Sequence, residues 1–234
     1  MLSKLKYEMQ KLANPEKAKL LQRFFKTGKG EYGVGDVFLG IVMPEQRKLV
    51  KEFWKEINSK DIQKLLDSKI HEERLIGLLS LIKKYEKSDE EVRKKIFDFY
   101  LRNTANINNW DLVDLSAPRI IGDFLVNKDR EILHKLAKSE NLWERRIAVI
   151  SCFAFIRNND FKDALKISRE LINDKHDLIH KAVGWMLREV GKRDQAVLVG
   201  FLKKNYKKMP RTMLRYAIER FEGGLRKKIL LGTI

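Results

Sequence analysis

The 234-residue chain is short of the features that mark disulfide-bonded, β-rich or membrane-spanning proteins. It has a single cysteine, Cys152, so no internal disulfide and no cysteine-built zinc cage can form. Four prolines and thirteen glycines are too few for the many tight turns of a sandwich or barrel. No apolar run approaches the roughly 18 residues needed to cross a bilayer. Segment 1–22 is charged throughout and has no apolar block like that of a secretory signal. A reducing cytoplasmic setting without a membrane partner is the expectation. Hydrophobic residues make up 44%, which excludes a disordered chain and suffices for a continuous core. We read residues 1–234 as one domain.

Acid is also in short supply. Lysine and arginine number 49 against 32 aspartates and glutamates, a net charge of +17. Such an excess points to a polyanionic partner, most often nucleic acid. A lysine-rich surface with no partner is the plainer alternative. The cations are spread along the chain rather than gathered in a terminal block, which disfavours a membrane surface.

What is abundant is helical periodicity. Apolar residues recur at spacings of three and four almost throughout, and no alternating strand pattern competes. Asn14-Pro15-Glu16 opens a helix as N-cap, proline and acid. Pro44 opens a second, Ser59 caps a short third, and Ser88 with Glu91 has the form of a capping box. Further helices are expected near 109–125, 129–138, 143–157, 161–173, 177–190, 194–206 and 211–221. The segments beginning at Glu73, Arg145 and His180 share a basic residue ahead of an apolar, small-residue face. Their spacing suits a unit of about 36 residues, close to HEAT-like helix pairs. Such pairs stack to bury their apolar faces. The fold class expected is all-α, a right-handed α-solenoid of HEAT-like repeats with a concave basic face.

Segment 26–43 interrupts this pattern with five glycines. It is no phosphate-binding P-loop, since no Gly-Lys-Ser/Thr closes it and no strand precedes it. It reads as a connection packed down at Phe38-Leu39-Gly40-Ile41, with Tyr32 able to touch a ligand. His176 and His180 share a helix face but lack a full ligand set, so they read as a capping pair rather than a metal site. Cys152 lies in an apolar helix and reads as an inert core residue.

Three blocks have unusual composition: Asn108-Asn109-Trp110-Asp111-Leu112-Val113-Asp114, Trp143-Glu144-Arg145-Arg146 and Gly184-Trp185-Met186-Leu187-Arg188-Glu189. Trp110 and Asp114 are four apart and so share a helix face. Tryptophans in a core and an aspartate in a cap would account for any one block alone. Together they resemble the DNA alkylation repair enzymes of the AlkD family, DNA glycosylases built from HEAT-like repeats. The similarity runs from Phe38-Leu39-Gly40-Ile41 to Met209-Pro210-Arg211. It implies a monofunctional glycosylase that hydrolyses the N-glycosidic bond of N3- or N7-alkylated purines in duplex DNA. Asp114 would be the catalytic carboxylate, with Trp110, Trp185 and Arg146 beside it. Arg145, Arg188, Lys192, Arg211, Arg215 and Tyr32 are the candidate DNA contacts. No metal or other cofactor is expected, and a monomer is. The glycine-rich stretch at 27–37 departs from the family's N-terminal cleft segment. A non-catalytic DNA-binding protein that recognises branched or distorted DNA is the alternative function.

Overall fold

A computed structural model describes residues 1–232. Among them are fourteen α-helices: α1 (Leu2–Lys11), α2 (Pro15–Phe24), α3 (Met43–Phe53), α4 (Ser59–Leu66), α5 (His71–Glu86), α6 (Glu90–Arg102), α7 (Trp110–Ala117), α8 (Glu131–Ala137), α9 (Leu142–Arg157), α10 (Lys162–Glu170), α11 (Asp177–Arg193), α12 (Gln195–Asn205), α13 (Arg211–Ala217) and α14 (Gly223–Leu231). The extended pairing among the described residues is one isolated parallel bridge, Val37 to Ile70. The chain forms two compact units, Met1–Ser116 and the residues from Ala117 on.

In the first unit, α5 is the centre. Thirteen of its sixteen residues are buried, so it carries no apolar stripe, and α3, α4 and α6 pack around it. Its opening turn is acidic and buried. The Glu72 carboxylate accepts hydrogen bonds from the amides of Leu39 (3.0 Å), Gly40 (2.8 Å) and Ile41 (3.3 Å), which pins the end of the glycine-rich segment. Gly40 has φ +85°, and a Cβ there would lie 2.1 Å from the Asn14 carbonyl oxygen, so only glycine fits.

In the second unit, α9, α11 and α13 stack in sequence, with α8 and α10 alongside α9 and α12 alongside α11. The three repeated segments all fall in the opening turns of long buried helices: α5, α9 and α11. With α7 and α13, the starts fall at residues 71, 110, 142, 177 and 211, which bears out a repeat near 36. Gly184 permits the closest approach in this stack. A Cβ there would lie 2.6 Å from the Met213 carbonyl oxygen and 2.5 Å from Tyr216 Cβ. The all-helical content and this stacking agree with the α-solenoid class.

The expected helix boundaries need three corrections. Asn58, not Ser59, caps α4: its Oδ1 accepts from Asp61 N (3.0 Å), and Asp61 Oδ2 accepts from Asn58 N (3.1 Å). Asn58 has the extended backbone a cap requires, and Ser59 is already helical. Asp89, not Ser88, caps α6 by accepting from Val92 N (2.9 Å), while the Ser88 hydroxyl donates back to the Lys84 carbonyl. The helix expected over 109–125 is α-helical only to Ala117 and then widens into a π turn over Pro118–Gly122. Pro118 has no N–H to bond the carbonyl four residues back, that of Asp114, and its ring clashes with that carbonyl in an ideal α-helix. Helices α1 and α14 lie outside the segments picked out by periodicity. Asn14 does cap α2, accepting from Lys17 N at 3.0 Å. His176 caps α11 by accepting from Leu178 N at 3.1 Å. Cys152 is fully buried, and burial pushes its thiol far above the ordinary range.

Candidate functional site

Trp110 is the first residue of α7, and Asp114 follows one turn later on the same face. Both are half-buried. Phe25 stacks on the Trp110 ring with centroids 5.2 Å apart and planes 19° apart. Phe24 meets the same ring edge-on at 5.9 Å and is itself 62% exposed. A large exposed aromatic beside Trp110 is a site feature that periodicity could not mark, because adjacent phenylalanines read as helix core. Tyr32 is half-buried in the glycine-rich turn, which Gly33 N closes by donating to the Lys26 carbonyl at 3.0 Å.

The Asp114 carboxylate acts on its surroundings. Tyr100 is buried beneath it and shares a 2.8 Å hydrogen bond with the Ser116 hydroxyl. Burial drives the Tyr100 phenol well above its ordinary value, the Ser116 bond opposes this, and the charge of Asp114 pushes it further up.

A second cluster lies behind Trp110. The His71 imidazole is 2% exposed and sits between two carboxylates, with Nδ1 3.1 Å from Asp36 Oδ2 and Nε2 2.8 Å from Asp111 Oδ2. Arg74 pairs with the other Asp36 oxygen at 2.7 Å, and Asn109 Nδ2 donates to Asp36 at 3.3 Å. Burial disfavours the imidazolium, but the bonds to Asp111 and Asp36 outweigh it and hold its pKa up at about 9. The Asp36 carboxyl is likewise opposed by burial, yet His71 and Arg74 hold it below its ordinary value. Phe38 stacks on the His71 ring at 4.6 Å, and Phe25 approaches it at 5.0 Å. Sequence spacing had no means of finding this cluster, since its two carboxylates lie 35 and 40 residues from His71.

In the second unit, Trp185 is half-buried on α11. Its Nε1 donates to Glu189 Oε1 at 3.1 Å, and its ring leans on Phe153 at 6.0 Å. Glu189 also pairs with Lys192 at 2.7 Å, and Arg188 pairs with Glu219. Arg146 is only 4% exposed and donates to the Leu178 carbonyl. Arg145 is committed internally: Nε donates to Asp174 at 2.6 Å and Nη1 to the carbonyls of Ser139 and Glu140 at 2.9 Å each. These bonds make Arg145 a clamp on the α8–α9 connection, and the geometry lends no support to it as a phosphate contact. Arg211 and Arg215 are exposed and border a polar pocket of about 330 Å³ with Thr212, Tyr216, Glu219 and Arg226. Among the described residues, no group of three or more His, Cys, Asp or Glu is arranged to hold a metal. No described helix is long and apolar enough to cross a membrane.

A family model for the DNA alkylation repair enzyme matches residues 5–221. A solved structure named "Predicted DNA alkylation repair enzyme from Enterococcus faecalis" is similar over 90% of this chain and 97% of that one. Its TM-score is 0.69 at 18% sequence identity. No curated protein matches.

Proposed function

Because the chain belongs to the DNA alkylation repair enzyme family, whose role is the repair of alkylated DNA, we propose that it is a monofunctional DNA glycosylase. It would release N3- and N7-alkylated purines from duplex DNA, working as a cytoplasmic monomer and as one domain over 1–234. The observation that carries this reading is the pairing of Trp110 and Asp114 on one face of α7, with the indole braced by Phe25 and the carboxylate one turn away.

A purine alkylated at N3 or N7 is already cationic and leaves without a general acid. Breaking its glycosidic bond moves positive charge onto the deoxyribose, as in other oxocarbenium-like transition states. A carboxylate at Asp114 stabilises that charge and orients or deprotonates the attacking water. Trp110 and Trp185 each favour a nearby cation by about 0.5–2 kcal/mol. Arg146 and Arg188 add fixed positive charge, while Lys192, Arg211, Arg215 and Tyr32 contact the DNA backbone and set register. Phe24 extends the aromatic surface of Trp110 toward the DNA.

The test is release of free base from methylated duplex DNA. Asp114→Asn keeps the shape and removes the charge, so release should fall by roughly 100- to 1,000-fold, the scale of single electrostatic groups. DNA affinity should be retained. Release by Asp114→Asn at the wild-type rate would overturn the assignment. No release by the wild type, with tight binding to branched DNA, would replace it with a binding-only function.

A further inference from the structure

The backbone on both sides of Trp110 is tied to one buried cluster. Asn109 is fully buried, its Oδ1 accepts from Trp110 N at 2.8 Å, and its Nδ2 donates to Asp36. Asp111, on the other side, accepts from His71 through Oδ2 at 2.8 Å and from Leu112 N through Oδ1 at 2.9 Å. The Trp110 ring rests on Phe25, and Phe25 in turn lies against the His71 imidazole. Every one of these restraints leads back to His71 or to its partner Asp36.

The hydrogen-bond geometry suits an imidazolium. Both ring nitrogens face carboxylate oxygens, and an ionised carboxylate only accepts. A neutral ring would aim a lone pair at one of them. With the proton present, Asp36, Asp111, Arg74 and His71 form a neutral quartet of two anions and two cations. The elements around the ring contribute these groups: Asp36 from the glycine-rich segment, Asp111 from α7 and Arg74 from α5. Lys17 of α2 and Glu72 of α5 line a cavity of about 300 Å³ that His71 and Asp111 also border, but Glu72 is committed to the amides of residues 39–41. Stability alone is poorly served by such a cluster, since apolar packing of similar volume often does as well or better. Directional bonds do what apolar packing cannot: they set the rotation of a helix about its axis.

We propose that His71 is a positioning residue for base release. Its imidazolium, bonded to Asp36 and Asp111, holds the first turn of α7 so that Trp110 and Asp114 keep their working orientation. The role presupposes the glycosylase chemistry proposed above. His71 touches no substrate and moves no proton in the reaction. Deprotonation would leave a lone pair against a carboxylate, loosen the link to Asp111 and free the first turn of α7 to rotate.

The experiment is single-turnover base release from methylated duplex DNA between pH 6.5 and 10, for the wild type, His71→Gln and Asp36→Asn. Folding is followed by circular dichroism and DNA affinity is measured in parallel. His71→Gln should remain folded and bind DNA, but release base roughly 10- to 100-fold more slowly at saturating protein, the effect of misplaced groups. The wild-type rate should fall as the pH rises through about 9 while the protein stays folded, and the His71→Gln rate should not show that limb. Asp36→Asn should shift the limb to lower pH. A His71→Gln rate equal to wild type overturns the proposal, as does a wild-type profile flat to pH 10. Should His71→Gln not fold, the wild-type and Asp36→Asn profiles decide. A wild type that releases no base overturns the glycosylase reading and this role with it. An active wild type with an unaltered His71→Gln overturns this role alone.

Discussion

A buried histidine usually stays neutral, because removing an imidazolium from water is costly. His71 is the reverse case, since both ring nitrogens are bound to carboxylates. Its folded pKa of about 9 stands above the unfolded 6.5, so the folded protein holds the proton more tightly. The resulting stabilisation is fully present below pH 6.5 and is lost as the pH rises through about 9. Thermal unfolding of the wild type should therefore move to lower temperature between pH 7 and 9.5. His71→Gln should be less stable at pH 7 and lack most of that slope. An identical slope in both proteins would show that other groups dominate the alkaline loss. Phe25 is the other residue on which this region depends. It stacks on Phe38 at 5.1 Å and on Trp110, so Phe25→Ala should cost about 3–5 kcal/mol in chemical denaturation.

Among the helices, glycine has opposite meanings at different sites. At Gly184 an added methyl group would run into the Met213 carbonyl and Tyr216 Cβ, so α11 and α13 would have to separate. Gly184→Ala should cost about 1–3 kcal/mol, the usual penalty of overpacking. Gly200 lies in α12 with nothing within 4 Å of the Cβ position. Gly200→Ala should stabilise by about 0.5–1 kcal/mol, because alanine suits an exposed helix better than glycine. Urea midpoints for the two variants should move in opposite directions. Equal shifts would mean that the α11–α13 contact is looser than its geometry. The π turn at Pro118 belongs to the same scale. It begins one turn after Asp114, where the proline withholds a donor from the Asp114 carbonyl.

For the whole molecule, charge sets the behaviour. Residues 203–228 contain ten lysines and arginines against Glu219 and Glu222. DNA affinity should fall steeply with salt, since each phosphate contact releases counterions. Changing Arg211, Arg215 and Arg226 to alanine should lower the slope of log K against log salt by about 2–3, near 0.9 per lost contact. Arg145→Ala should behave differently. Its guanidinium is held by Asp174 and two carbonyls, so the loss should appear in the melting temperature and not in the salt slope. An unchanged slope in the triple variant would move the DNA contacts to other cations.

The sequence by itself determined the helical class, the repeat near 36 residues, the strong excess of positive charge and the placing of Trp110 and Asp114 on one helix face. Each depends on short-range order: periodicity within a helix, recurrence along the chain, or a four-residue spacing that puts two side chains on one face. Local chemistry was also enough for the Asn14 cap, though not for choosing Asn58 over Ser59 or Asp89 over Ser88. Neighbouring cap residues differ only in backbone angles that the surrounding structure selects. Tertiary structure alone decided the rest. It brought Asp36, His71 and Asp111 together from three segments, set Phe24 and Phe25 against Trp110, and committed Arg145 to Asp174. These are contacts between residues far apart in the chain. Which of several equally basic, acidic or aromatic side chains meet is settled by how helices dock, and docking leaves no periodic trace in the sequence.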